Sequence, residues 1–142
     1  MRRGLAAGAP SAVNWLKVSA WLGIVFAILE GTIKVVRAFH QPQWWAFSLY
    51  DYVPLLLLLP GGLWVLRGDA AGRWLTAGWS VVFADYYNAF FIHLEFMLDP
   101  TRNDFIAERS KAIATGPLLA IALVGLAAAL WRGGSRRFGG RT

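Results

Sequence analysis

The sequence contains no cysteine, two histidines and few charged residues. The absence of cysteine excludes disulfides, thiol redox chemistry and cysteine-ligated metal sites. Charged residues make up 15% of the chain, whereas soluble domains average about a quarter. No phosphate-binding loop, nucleophile elbow or zinc signature is present. These absences argue against an ordinary soluble domain and against the enzyme classes that such motifs define.

The composition is dominated by apolar residues. Hydrophobic residues make up 57% of the 142 residues, and they include eight Trp and nine Phe. A chain of this length forms one domain, residues 1–142. Its aromatic content is too high for the surface of a small soluble protein. We therefore expect the apolar excess to face lipid.

Four stretches are long enough to cross a membrane as helices, since one span needs about 20 mostly apolar residues. They cover residues 18–36, 46–66, 74–98 and 112–131. Their short connections favour antiparallel packing of neighbours. The sequence therefore predicts an all-α fold, an integral membrane four-helix transmembrane bundle, with a basic flexible tail at 132–142.

Basic residues are concentrated in the segments that four spans would place on one side. These segments hold nine basic residues and one acid, Asp69. The basic residues are Arg2, Arg3, Lys17, Arg67, Arg73, Arg132, Arg136, Arg137 and Arg141. Because Lys and Arg mark cytoplasmic loops, we expect both termini in the cytoplasm and a multi-pass protein of the cell membrane, of the bacterial inner-membrane kind. The basic residues thus indicate topology and no nucleic-acid partner.

A cleaved signal peptide at residues 1–29 is the alternative reading of the first apolar stretch. Its basic start and apolar middle fit that class. However, no clear small-x-small cleavage site precedes Glu30. We therefore treat the stretch as a span.

Ionisable residues fall inside the predicted spans, where one charge costs at least about 2.5 kcal/mol. At about 100° per residue, Asp85, Asn88 and Glu95 form one stripe on the third helix. Glu30 and Lys34 belong to a stripe on the first helix. Both stripes lie in the half of the bundle farther from the cytoplasm. We expect a salt bridge or a water-bridged pair between Lys34 and Glu95 near the outer surface.

Three acids lie deeper than any base, namely Glu30, Asp51 and Asp85. Crowded carboxyl groups in a low dielectric cannot all ionise, so we expect them to share protons. Such groups suit proton transfer, and we predict that these three are catalytic and converge on one cavity. The predicted ligand contacts are Asn88, His93, Tyr50, Tyr86, Lys34 and Glu95. The alternative is that the charges only form ion pairs that fix helix order.

Metal or haem binding is a further alternative. His40 and His93 could ligate a haem, and His93 could join Asp85 and Glu95 in a metal site. Neither set shows a diagnostic spacing. We predict no metal and no cofactor.

The architecture is similar to that of the small multidrug transporters, which carry a membrane glutamate on the first helix as Glu30 is placed here. It is also similar to that of the sterol-isomerase group, with acids and aromatics around a lipophile pocket. No motif of either group is matched residue by residue. We expect a protein that binds a small lipophilic molecule and acts on it by acid–base isomerisation or cyclisation. Proton-coupled transport by a homo-oligomer and an accessory role in a larger membrane complex are the alternatives.

Overall fold

The computed structural model describes residues 14–40, 45–68, 72–99, 101 and 105–131, without the side chains of 45–51. These residues form helices and no strand, which confirms the predicted all-α class for the part of the chain described. The four helices are α1 (Trp15–His40), α2 (Trp45–Leu66), α3 (Gly72–Leu98) and α4 (Phe105–Leu130).

The helix ends follow from local sequence signals. The side chain of Asn14 accepts a hydrogen bond from the amide of Lys17 at 3.3 Å and so caps the start of α1. The chain leaves α2 through Gly68, whose φ of 93° suits a residue without Cβ. The largest departure from the prediction is in α4. It begins at Phe105, about two turns before the predicted position 112.

The helices pack in a ring. Each helix contacts its neighbours in sequence, and α1 also packs against α4. One cavity is lined by the later parts of α1 and α3 and the earlier parts of α2 and α4, so consecutive helices run antiparallel. The bundle thus has two distinct ends.

The end at which α1 and α3 begin is tightly packed. Trp79 is fully buried there. Its ring packs against the backbone at Gly125, where an added Cβ would come within 2.4 Å of the ring. Ser19 donates a hydrogen bond to the Gly125 carbonyl at 2.8 Å, which ties α1 to α4. At Gly62, an added Cβ would lie 2.9 Å from the Ala20 carbonyl oxygen. Small residues therefore let helix backbones approach closely at this end.

The outward faces of the helices are apolar. Large side chains on these faces are more than half exposed, for example Trp21, Leu29, Leu56, Ile113 and Val124. By length and composition α1 and α4 are each able to cross a membrane, and the part of α2 whose side chains are described, Tyr52–Leu66, is apolar but shorter. Among the described residues, two helices are thus long and apolar enough to cross a membrane, where the sequence predicted four spans.

Candidate functional site

A half-enclosed cavity of about 800 Å³ opens at the end of the bundle where α1 and α3 end. All four helices contribute to its lining. Small-molecule sites in proteins commonly have volumes of roughly 300 to 1,000 Å³. The cavity is therefore large enough for a ligand.

The inner surface of the cavity is apolar and rests on the packed core. Its large apolar side chains are Phe26, Ile33, Leu55, Val82, Ile92 and Leu118. Phe26 is buried, and its ring centroid lies 5.6 Å from that of Trp79. Since Trp79 belongs to the tightly packed end, this part of the cavity has rigid support. Such a surface suits contact with an apolar molecule.

Glu30 and Tyr86 form a hydrogen-bonded pair on the cavity wall. Glu30 is buried, with 8% of its surface exposed, and the Tyr86 hydroxyl donates a hydrogen bond to its Oε1. Phe26 meets the Tyr86 ring edge-on, with 6.0 Å between ring centroids. A buried carboxyl group needs such a donor, because an unpaired one is costly. The pair joins α1 to α3 and places an acid and a phenol on the same cavity.

Asp85 lies beside Tyr86 in the chain and lines the same cavity, half-buried. The structure thus brings Glu30 and Asp85 to one cavity, as the stripes on α1 and α3 predicted. Their catalytic role stays a prediction. The side chains of Asp51 and Tyr50 lie outside the described residues, and the roles predicted for them stay untested.

A second hydrogen-bonded cluster links α3 to α4 at the cavity. His93 Nδ1 lies 2.6 Å from Glu108 Oε2, and Lys111 Nζ lies 2.7 Å from Glu108 Oε1. His93 and Lys111 both line the cavity, whereas Glu108 is buried behind them. Glu108 precedes the apolar stretch of α4, which begins at Ala112. Hydrogen bonds from Lys111 and then from His93 hold the pKa of the Glu108 carboxyl below its usual range.

The mouth of the cavity carries further polar groups. Lys34, Arg37 and Lys111 supply basic side chains, and Asn88 and Thr115 supply neutral ones. The predicted ligand contacts Asn88, His93, Tyr86 and Lys34 therefore all line the cavity. Positive and negative groups lie on one cavity with an apolar interior. Such a lining matches a molecule with an apolar body and a polar group.

Glu95 lies elsewhere. It is exposed and belongs to a separate shallow pocket, which it lines with Phe91, Leu94, Phe96, Leu98 and Asp99. Among the described side chains, no direct salt bridge joins Lys34 to Glu95, and the water-bridged form of the predicted pair stays untested. At about 100° per residue, Glu95 lies roughly 100° from the middle of the side of α3 that faces the cavity. The inward face predicted for α3 was therefore rotated around the helix axis toward Glu95, whereas the observed face is rotated toward His93.

The alternative metal and haem sites are also not assembled. No three His, Asp or Glu side chains among the described residues are grouped closely enough to hold a metal ion. His40 is exposed near the end of α1, where its Nδ1 lies 2.8 Å from the Val36 carbonyl oxygen. It does not line the cavity that His93 lines.

Sequence reasoning missed Glu108 and Lys111 as parts of the site. It assigned both to a loop, because the window of high hydropathy begins only at Ala112. Their spacing of three residues was the available signal, since residues at i and i+3 meet on one helix face. The chain matches no known family model, no curated protein and no solved structure.

Proposed function

We propose that the protein crosses a membrane four times, with both termini in the cytoplasm, and that its cavity binds a small lipophilic molecule. On this proposal the polar residues of the cavity move protons within the bound molecule, as in an isomerisation or cyclisation. The observation that carries the proposal is the apolar cavity with the Glu30–Tyr86 pair and Asp85 on its wall.

Membrane insertion is supported by the distribution of side chains between inside and outside. The interior holds the polar residues Ser19, Glu30 and Glu108 beside an apolar core, while many other large apolar side chains face outward. Only 39% of the most apolar window of α1 and 22% of that of α4 is buried in the bundle. A core helix of a soluble protein would be mostly buried. Large exposed apolar surfaces mark contact with a membrane or another protein.

On the proposed topology, the cavity lies in the outer half of the membrane. The positive-inside rule puts the basic segments near residues 2–17, 67–73 and 132–141 in the cytoplasm. The cavity lies at the opposite end of the bundle, where α1 and α3 end. A molecule could then enter from the outer leaflet or from outside the cell.

Ligand binding is favoured over the alternatives because the acids face a cavity within a single chain. Glu30 is buried inside the bundle. In a homo-oligomeric transporter or an accessory subunit, the charged stripes would be expected on exposed helix faces that await another chain. The volume and mixed lining of the cavity support a small amphipathic ligand.

Proton transfer is favoured because the cavity offers several groups that can give or take a proton. The Glu30 carboxyl accepts a hydrogen bond from Tyr86, and Asp85 shares the cavity. An isomerisation requires only that a proton leave one atom and return to another. Carboxyl groups positioned in this way act as general acids and bases.

Photolabelling tests the proposed binding. The probe is an alkyl alcohol with a diazirine in its chain and a terminal alkyne, added to the purified protein in lipid nanodiscs. Adducts are mapped by mass spectrometry. We expect adducts on Ile92 and Leu118 that an excess of unlabelled alcohol removes. Adducts on outward side chains such as Leu56 should persist, because bulk lipid contacts are not saturable.

A matched pair of tryptophan substitutions on α3 provides the control. Ala89 lines the cavity, whereas Ala84 is exposed on the same helix. A89W should fill the cavity and abolish the competed adducts, and A84W should leave them unchanged. Adducts that neither competition nor A89W reduces would show that the cavity holds no alkyl ligand.

A further inference from the structure

His93 and Glu108 form a second proton-carrying pair on the cavity. The pair lies on α3 and α4, about two turns along α3 from Tyr86. The His93 side chain is 23% exposed and the Glu108 side chain 5% exposed. The imidazole therefore reaches the cavity, while the carboxylate lies buried behind it. Lys111 anchors the other carboxylate oxygen at 2.7 Å.

The hydrogen bonds determine which ring nitrogen carries the proton. An ionised carboxylate can only accept hydrogen bonds. With Glu108 ionised and accepting a hydrogen bond from the Lys111 ammonium, His93 Nδ1 carries a proton and donates a hydrogen bond to Oε2. Nε2 is then the nitrogen with a lone pair in the neutral ring. A carboxylate on Nδ1 orients an imidazole in this way in catalytic triads and stabilises the imidazolium that forms.

We propose that His93, positioned by Glu108, is the base that exchanges protons with the molecule held in the cavity. This inference rests on the proposed function and names the group that starts its chemistry. Nε2 takes a proton from a C–H or O–H bond of the bound molecule and becomes an imidazolium, whose charge Glu108 balances. The imidazolium then returns this proton to another atom of the same molecule, so the product is an isomer and the His93 ring is neutral again. The step therefore needs no oxidant, reductant or second substrate.

The charged groups around His93 come from three helices. Besides Glu108, the cavity-lining groups are Glu30, Lys34, Arg37, Asp85 and Lys111. The described lining residues of α2 are Pro54 and Leu55. Glu30 and Asp85 line the same cavity as His93 and can hydrogen-bond to the ligand while His93 moves the proton.

Nitrogen-15 NMR of histidine tests the proton position directly. The chain has two histidines, so H40Q leaves a single signal in the full-length protein in nanodiscs. At alkaline pH, where the ring is neutral, we expect the Nδ1–H form of His93. E108Q should shift the ring toward the Nε2–H form, because an amide can donate to Nδ1. K111M should keep the Nδ1–H form, since it leaves the carboxylate in place.

Diethyl pyrocarbonate, which modifies the neutral ring nitrogen, tests whether Nε2 is reached from the cavity. In the H40Q background we expect His93 to react, A89W to slow the reaction at least tenfold, and A84W to leave it unchanged. An Nε2–H form in the unmodified pair would overturn the proposal. So would a reaction rate that A89W does not change.

These results are separable from the binding test. If His93 is in the Nδ1–H form and reactive but no alkyl alcohol is bound, the proposed ligand is wrong and the base stands. If the alcohol binds and His93 is in the Nε2–H form, the binding proposal stands and this inference fails.

Discussion

Tyr86 on α3 donates a hydrogen bond from its hydroxyl to Oε1 of Glu30 on α1. The bond lies at the cavity and supplies the buried carboxyl with a partner. Tyr86→Phe should therefore destabilise the bundle, because a buried acceptor that loses its donor costs about 1 to 3 kcal/mol. Unfolding from mixed micelles by increasing fractions of sodium dodecyl sulfate measures this loss.

Tyr87→Phe is the matched control for this substitution. Tyr87 is 50% exposed, and its ring packs against that of Phe91 with 4.6 Å between centroids, a contact that phenylalanine retains. We expect a change within about 0.5 kcal/mol, as for ordinary surface substitutions. Equal effects of the two substitutions would mean that the Glu30–Tyr86 bond contributes nothing to stability.

Gly125→Ala should destabilise the closed end of the bundle. The added Cβ would lie 2.4 Å from the Trp79 ring, and relief requires movement of a fully buried indole. Overpacking of this kind costs about 1 to 3 kcal/mol. Thermal unfolding followed by near-UV circular dichroism reports both the stability and the Trp79 environment.

Gly116→Ala on the same helix tests whether the loss of stability depends on the packing at position 125 or follows from any glycine-to-alanine change in α4. Its added Cβ would lie 3.4 Å from the Phe90 ring, an ordinary contact. Alanine favours helix over glycine by about 1 kcal/mol, but its Cβ is disfavoured in a helix directly before Pro117. The G116A protein should therefore lose less stability than the G125A protein. A G125A protein as stable as the unsubstituted protein would show that the helices can move apart at Trp79 with little loss of stability.

The Glu108 cluster should make stability depend on pH. Hydrogen bonds from Lys111 and His93 lower the pKa of the folded Glu108 carboxyl below the usual value of 4.5. A carboxyl group with a lowered folded pKa stabilises the protein above its unfolded pKa, and this stabilisation is lost as the pH falls through the folded pKa. We therefore expect E108Q to lower the Tm at pH 7 but to have little effect well below pH 4.5.

The exposed Glu95 gives the control for this pH dependence. E95Q removes a carboxyl of the same type from a surface without the cluster, so its Tm should follow that of the unsubstituted protein at every pH. A difference between E108Q and the unsubstituted protein that persists in strong acid would show that Glu108 acts through shape and not through charge.

The inward faces of α1 and α3 could be predicted in large part from the sequence. Helical periodicity places Ser19, Gly23 and Glu30 on one side of α1, and all three are buried. Asp85 on α3 likewise reaches the cavity. Period alone is sufficient here because the small and polar residues of α1 recur at helical spacing, and a carboxyl group such as Glu30 needs a partner, which Tyr86 supplies inside the bundle.

The α4 side of the site could not be predicted by the same reasoning. Hydropathy marks the apolar stretch that begins at Ala112, but a helix can start before such a stretch. The turn before it carries Glu108, Arg109, Ser110 and Lys111, and the contact of Glu108 with His93 holds this turn against α3. The prediction that Glu95 faces inward with Asp85 was wrong for a related reason. A residue near the end of a helix can face solvent at little cost, so its position on a stripe does not determine its contact.

The central claim is that the bundle crosses a membrane four times with its cavity toward the outer side. The chain lacks cysteine, so single substitutions at Gln41, Ala70, Thr101 and Ser135 each report one position. A membrane-impermeant maleimide applied to intact cells should label Q41C and T101C. A70C and S135C should be labelled only after the cells are permeabilised. Labelling of A70C in intact cells, or equal labelling of all four variants, would contradict the four-span arrangement and the outward cavity.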